Sequence, residues 1–124
     1  GVQTCALPIY HKFHHNNVII IGKTNECDIK SKSQSFTSYK AYKGRQAVYE
    51  TDFPCPNSSF SAGRYYVLYG NAGWFKRDNL KLSAYCGELV KLSSDFTLDE
   101  LSSIEGHSSW IDELKFIEAE FSEE

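Results

Sequence analysis

Residues 39–82 constrain the fold more than any other part of the chain. They begin Tyr39-Lys-Ala-Tyr-Lys-Gly-Arg-Gln-Ala-Val-Tyr49. After a turn-rich loop they resume as Arg64-Tyr-Tyr-Val-Leu-Tyr-Gly-Asn-Ala-Gly-Trp-Phe-Lys-Arg-Asp-Asn-Leu80. β-branched and aromatic residues favour extended backbone, and the glycines that interrupt them favour tight turns. Short strands cut by turns at this spacing predict a small, strongly curved β-barrel.

The rest of the chain is read around that segment. Residues 18–21 (Val-Ile-Ile-Ile) form the first clear strand, ended by Gly22. Residues 23–38 are rich in Ser and Lys and show neither strand nor helix period, which predicts a long mobile loop. Gly44 marks a turn, and residues 45–50 resume as a strand. Residues 52–62 hold Pro54, Pro56, Asn57 and several Ser, the composition of a loop. In the strongest strand, Tyr65, Val67 and Tyr69 face one way and Tyr66 and Leu68 the other. Residues 70–73 (Gly-Asn-Ala-Gly) read as a hairpin connection, residues 77–80 as one helical turn, and residues 81–90 as a last strand. Val67, Tyr65, Phe75, Leu80, Val48 and Ile20 are the expected core.

The tail changes period. Thr97 followed by Glu100 is a capping box, with Leu98, Leu101 and Ile104 at helical spacing behind it. Gly106 ends that helix, and Ser108 or Ser109 caps a second. There Trp110, Ile111, Leu114, Ile117 and Phe121 form an apolar stripe opposite an acidic face. Leu114 and Ile117 are expected to cover one side of the barrel.

The barrel residues resemble the small Src-homology-3-like barrels of short phage and bacterial proteins, which overlap with the KOW-type folds of ribosomal and transcription factors. The matching residues are Tyr42-Lys-Gly-Arg45, Tyr65-Tyr-Val-Leu-Tyr69, Gly73-Trp-Phe75 and Asp78-Asn-Leu80. The resemblance covers about residues 16–83 and implies a fold that serves as a peptide binder, an RNA or DNA binder or a structural add-on, so it does not by itself settle function. The expected class is therefore α+β: a five-stranded Src-homology-3-like barrel over residues 16–90, followed by acidic C-terminal helices, a helical hairpin, over residues 91–124. Residues 1–15 are expected to be disordered or artefactual. Gly1 to Ile9 look like a translated sequencing adapter, with a genuine strand as the other reading. The chain contains no methionine, as in a processed product, a tag-cleaved chain or a fragment.

Charge is split along the chain. Residues 1–86 hold 11 Lys and Arg against 5 Asp and Glu, whereas residues 87–124 hold 2 against 11. A basic body with an acidic tail points to nucleic acid or to an acidic docking surface. The candidate ligand-contact residues are Lys40, Tyr42, Lys43, Arg45, Tyr66, Trp74, Lys76 and Arg77. Their cations would track phosphates and their rings would stack on bases. RNA or DNA is the leading partner, and an extended peptide in the aromatic groove, or a protein docked on the acidic helix, is the alternative.

Catalytic and metal signatures are weak. Residues 21–24 (Ile-Gly-Lys-Thr) end like a phosphate-binding loop but lack its first glycine, so a strand and turn fit better. His11, His14 and His15 could join a cysteine at a zinc ion, yet no Cys-x-x-Cys pair or metalloprotease motif accompanies them. Cys86 with His107 would make a nucleophile pair only by accident of folding. The expectation is a binding module rather than an enzyme, with no cofactor and no metal. No apolar run approaches the roughly 18 residues of a membrane span. Cys5, Cys27, Cys55 and Cys86 are widely spaced, which suggests reduced thiols and a cytoplasmic setting. Asn57-Ser58-Ser59 is a glycosylation acceptor that matters only in a secreted chain.

Overall fold

The computed structural model describes residues 3–4, 9–27, 30, 32–57, 59–73, 75, 78–89, 97–105 and 109–122. In chain order the elements are β1 (Gln3–Thr4), α1 (Ile9–His15), β2 (Val18–Thr24), β3 (Ser33–Lys43), β4 (Val48–Pro54), β5 (Tyr65–Ala72), β6 (Asn79–Leu89), α2 (Leu98–Glu105) and α3 (Ser109–Ser122).

Strands β2 to β6 close into a five-stranded barrel, as the glycine-cut strands predict. The sheet order is β1-β6-β4-β3-β2-β5, and β6 also pairs with β5. Consecutive strands β2, β3 and β4 pair antiparallel. The last strand then inserts between β4 and β5. It runs parallel to β4 (Glu50 opposite Asn79, Thr51 opposite Leu80) and antiparallel to β5. β1 adds a two-residue parallel ladder against Ala84 and Tyr85 of β6.

Two cores share the same strands. Val18, Ile20, Phe36, Tyr49, Phe60, Tyr66, Leu68 and Leu80 fill the barrel interior. Ile19, Ile21, Tyr42, Val67, Tyr69 and Ala84 face outward and are buried under Leu98 of α2 and Ile111, Leu114 and Ile117 of α3. The uninterrupted run of residues 18–21 follows from this. A strand covered on both faces has no position for a polar residue, so alternation disappears. The predicted split of β5 is also present: Tyr65, Val67 and Tyr69 belong to the helix side, Tyr66 and Leu68 to the interior. Of the expected core, Phe75 and Val48 are instead exposed, at 97% and 51%.

Several local expectations are corrected. The predicted loop at residues 23–38 is half strand, because β3 starts at Ser33. Its inward positions are Gln34 and Phe36, and serines face out, so polarity hid the period of two. Buried Gln34 is satisfied through Nε2, which donates to the carbonyls of Asn25 and Ser35. Gly70 lies within β5 rather than in a turn. A Cβ there would come within 2.7 Å of Leu80 Cδ1 and of the Lys81 carbonyl, so only glycine lets β5 and β6 approach this closely. Gly44 does sit in a turn, at φ 88°, where β3 passes to β4. Asn79 and Leu80 are the first residues of β6 rather than a helical turn.

The histidine-rich segment at residues 9–15, within the stretch expected to be disordered or artefactual, forms helix α1. Its Lys12 is fully buried and its Phe13 packs on the outer core. At the C-terminus, the capping box forms as read. Glu100 N–H donates to Thr97 Oγ1 at 3.2 Å and Thr97 N–H donates to Glu100 Oε2 at 3.4 Å. The side chains of Leu101, Ile104, Trp110 and Phe121 lie outside the described residues, as does His107.

The reduced-thiol expectation fails for two cysteines. Cys27 and Cys55 form a disulfide with their Cα atoms 5.7 Å apart. They are 28 residues apart in sequence, but each follows a strand that ends at the same rim of the barrel. The loop they anchor delivers Phe60 into the interior, edge-on to Phe36, Tyr66 and Tyr85 at 5.0–5.2 Å between ring centroids. Disulfides persist in oxidising compartments, so the thiol argument for the cytoplasm no longer stands. Among the described residues, no helix is long and apolar enough to cross a membrane.

Candidate binding site

The described members of the basic, aromatic set singled out from the sequence have different surroundings in the fold. Lys40 lies on β3 under α3. Its Nζ is 2.7 Å from Glu118 Oε1 and 5.1 Å from the centre of the Tyr42 ring. Tyr42 is 7% exposed and belongs to the outer core. Burial, and then the nearby Glu118 carboxylate, push its phenol far above the ordinary range. Lys43 donates to the carbonyls of Phe13 and Asn16, and its ammonium lies 4.5 Å from the Phe13 ring centre. It thus satisfies carbonyls at the C-terminus of α1, where a cation is also favoured by the helix dipole. Burial holds its amine below the usual lysine value.

Tyr66 points into the barrel interior at 4% exposure, and its hydroxyl accepts from the Ser61 N–H. Trp74, Lys76 and Arg77 lie outside the described residues. Arg45 is the remaining member. It is half exposed and ion-paired with Asp78, across the gap between the β3–β4 turn and the start of β6. Lys40, Tyr42 and Lys43 are therefore engaged by the chain's own helices, and Arg45 stands at the end of the barrel.

That barrel end carries two open clefts. A cleft of about 290 Å³ is lined by Asn17, Val18, Gly44, Arg45, Tyr49, Ala72 and Gly73. A second, of about 340 Å³, is lined by Asn71, Ala72, Gly73, Asn79 and Lys81. Both share Ala72 and Gly73, where β5 passes into the β5–β6 connection at residues 73–78. Phe75 is in this connection and is almost wholly in water.

The walls of the first cleft are fixed by hydrogen bonds. The Asn17 side chain acts as an extra strand residue beside β5: its Nδ2 donates to the Ala72 carbonyl at 3.0 Å, and its Oδ1 accepts from the Ala72 N–H at 2.8 Å. Asn71 Oδ1 accepts from the Asn17 N–H. Across the cleft, Tyr49 hydroxyl donates to the Arg45 carbonyl at 2.7 Å and accepts from the Arg45 N–H at 3.2 Å. Burial raises the Tyr49 phenol above its usual value, so it stays neutral and able to donate. A rigid rim with a projecting aromatic side chain is suited to grip a partner.

Sequence reasoning missed Phe75 and Asn17 as site residues. The signal for Phe75 was its place between Gly73 and Asp78, in a stretch too short to be both strand and turn. No motif marks Asn17.

Among the described residues the other candidate chemistry is not assembled. His14 and His15 are exposed on α1, and no group of three or more His, Cys, Asp or Glu that could hold a metal ion occurs among the described residues. Residues 21–24 are extended within β2. A Cβ at Gly22 would meet Leu68 Cδ1 at 2.8 Å, so this glycine serves strand packing. No family model, curated protein or solved structure matches the chain.

Proposed function

We propose that the protein is a non-catalytic interaction module that holds a protein partner at the β5–β6 end of its barrel. The observation that carries this reading is Phe75, 97% exposed two residues after Gly73, a residue that lines both clefts. A large apolar side chain held in water is a cost that burial in a partner recovers, about 1.5–3 kcal/mol for a full phenylalanine. Aromatic anchors of this kind dominate interface energetics.

The connectivity supports the same region. A last strand inserted between β4 and β5 makes a five-stranded Greek-key barrel, the architecture of oligonucleotide- and oligosaccharide-binding folds. In those barrels the loop between the fourth and fifth strands is a main ligand-contact loop. Its counterpart here is residues 73–78. This connectivity is favoured over a Src-homology-3-like one because the last barrel strand, β6, does not pair with the first barrel strand, β2.

Single-stranded nucleic acid is the second reading. It is favoured by Arg45 and Lys81 beside the clefts and by Trp74, Lys76 and Arg77 in the loop sequence. It is weakened by the pairing of Lys40 with Glu118 and of Arg45 with Asp78.

A photocrosslinking phenylalanine analogue at position 75, with the same probe at exposed Asp52 as control, separates the readings in extracts of the source. A discrete protein adduct at 75 and none at 52 is expected. Adducts to nucleic acid alone, together with retention of labelled RNA at low salt, would transfer the site to the second reading. Equal labelling at both positions would remove the interaction site altogether.

A further inference from the structure

We infer that Asn57 is an N-glycosylation site, so that the mature protein carries a glycan at the end of the barrel opposite Phe75. The acceptor sequence is Asn57-Ser58-Ser59, with no proline at the middle position. Such a sequence matters only where the chain enters a secretory compartment. The Cys27–Cys55 disulfide, two residues upstream, independently places folding in an oxidising environment.

The local geometry suits a modified asparagine. Asn57 Oδ1 accepts from the Ser59 N–H at 2.9 Å, a side-chain turn that brings the acceptor amide and residue 59 together. Among the described residues, Asn57 Nδ2 makes no hydrogen bond, and the residue is partly exposed. Ser59 and residues 61–64 are exposed. The loop is fixed from beneath by the disulfide and by Phe60, so a glycan at 57 displaces no core contact. This loop leads into the start of β5, and Phe75 follows its end, about 25 Å away along an eight-residue strand. The glycan therefore leaves the proposed interaction end open.

In the modification, Asn57 Nδ2 attacks C1 of an oligosaccharide carried on a lipid pyrophosphate. The N–C1 bond forms, the C1–O bond to pyrophosphate breaks, one amide proton is lost and the lipid pyrophosphate departs. Asn25 supplies an internal control. It precedes Cys27 by two residues, but Cys27 is in the disulfide, and the Asn25 side chain is engaged by Ser35 and Thr37.

The test is to secrete the full chain from insect or mammalian cells and map its peptides before and after peptide-N-glycosidase. The expected result is a glycan on Asn57 in most copies, removed by the enzyme to leave aspartate at 57. Asn25 should be unmodified and the Cys27–Cys55 link present in the same digest. Ser59→Ala, which keeps Asn57, should abolish the modification without changing the melting temperature. Secreted, disulfide-bonded protein with unmodified Asn57 would overturn the inference. So would secreted protein in which Cys27 and Cys55 are unlinked, since the compartment argument would then fail.

Discussion

Lys12 on α1 and Glu113 on α3 form an ion pair at 2.6 Å, with the lysine fully buried and the glutamate nearly so. The other carboxylate oxygen, Glu113 Oε2, accepts from Tyr69 hydroxyl on β5 at 3.1 Å, and the ammonium sits 5.2 Å from the Tyr69 ring centre. One carboxylate thus ties both terminal helices to the barrel. Glu113→Ala leaves a buried cation without its partner and should cost about 3–5 kcal/mol in denaturant unfolding. The double variant Lys12→Met, Glu113→Leu should recover most of that loss. A double variant as unstable as the single one would show that the pair holds the helices in place.

The phenols beneath α3 predict alkaline sensitivity. Burial, and then Glu113, push Tyr69 far above its ordinary value of 10.0, as burial and Glu118 do for Tyr42. A folded-state pKa above the unfolded one means that the native state binds more protons once the pH exceeds about 10. Stability is then fully present below pH 10 and declines as pH rises beyond it. Tyrosinate absorbance should show Tyr42 and Tyr69 ionising only together with unfolding. Smooth titration of every tyrosine in folded protein would contradict their burial.

The Cys27–Cys55 disulfide spans 28 residues and secures the loop that seats Phe60 in the barrel. On the chain-entropy account such a loop stabilises by roughly 3–4 kcal/mol. Cys27→Ser with Cys55→Ser should lower the melting temperature markedly, and a reducing agent should do the same to the natural chain. An unchanged melting curve under full reduction would mean that Phe60 is held without the cross-link.

How far the sequence could be read depended on polarity. Strands β2 and β5 were legible because burial on both faces made them continuously apolar. The first half of β3 was not, because its inward Gln34 is satisfied by hydrogen bonds rather than by apolar packing. Helix α1 was illegible for a related reason. Among its described side chains the most buried is Lys12, whose partner lies 101 residues away. The same effect bears on three of the candidate binding residues. Lys40, Tyr42 and Lys43 look like a surface stripe until the helices that cover and bind them are in place. The acidic tail was foreseen, but its partners were not.

Because the tail roofs the outer core, it cannot be removed without uncovering that core. Leu98, Ile111, Leu114 and Ile117 are all buried against Ile19, Ile21, Val67 and Tyr69. Leu114→Ala should destabilise by about 2–5 kcal/mol. Deletion of residues 96–124 should give an aggregating or unfolded chain rather than a barrel with stronger RNA binding. A soluble, cooperatively melting truncation would show that the barrel is self-sufficient.

Phe75 separates binding from folding. At 97% exposure it has almost nothing to lose in the isolated protein, so Phe75→Ser should change stability by no more than about 0.5 kcal/mol. The variant should lose partner binding, because truncating a central aromatic anchor removes about 2 kcal/mol or more. Arg45→Ala gives the contrasting result. It removes the exposed ion pair to Asp78, worth at most about 1 kcal/mol, and should alter the salt dependence of binding more than its strength. Thermal melts of both variants, with titration against whichever protein is crosslinked at position 75, would distinguish the two roles. Loss of stability in Phe75→Ser would mean that the side chain folds back onto the barrel, and full binding by the same variant would remove Phe75 from the interface.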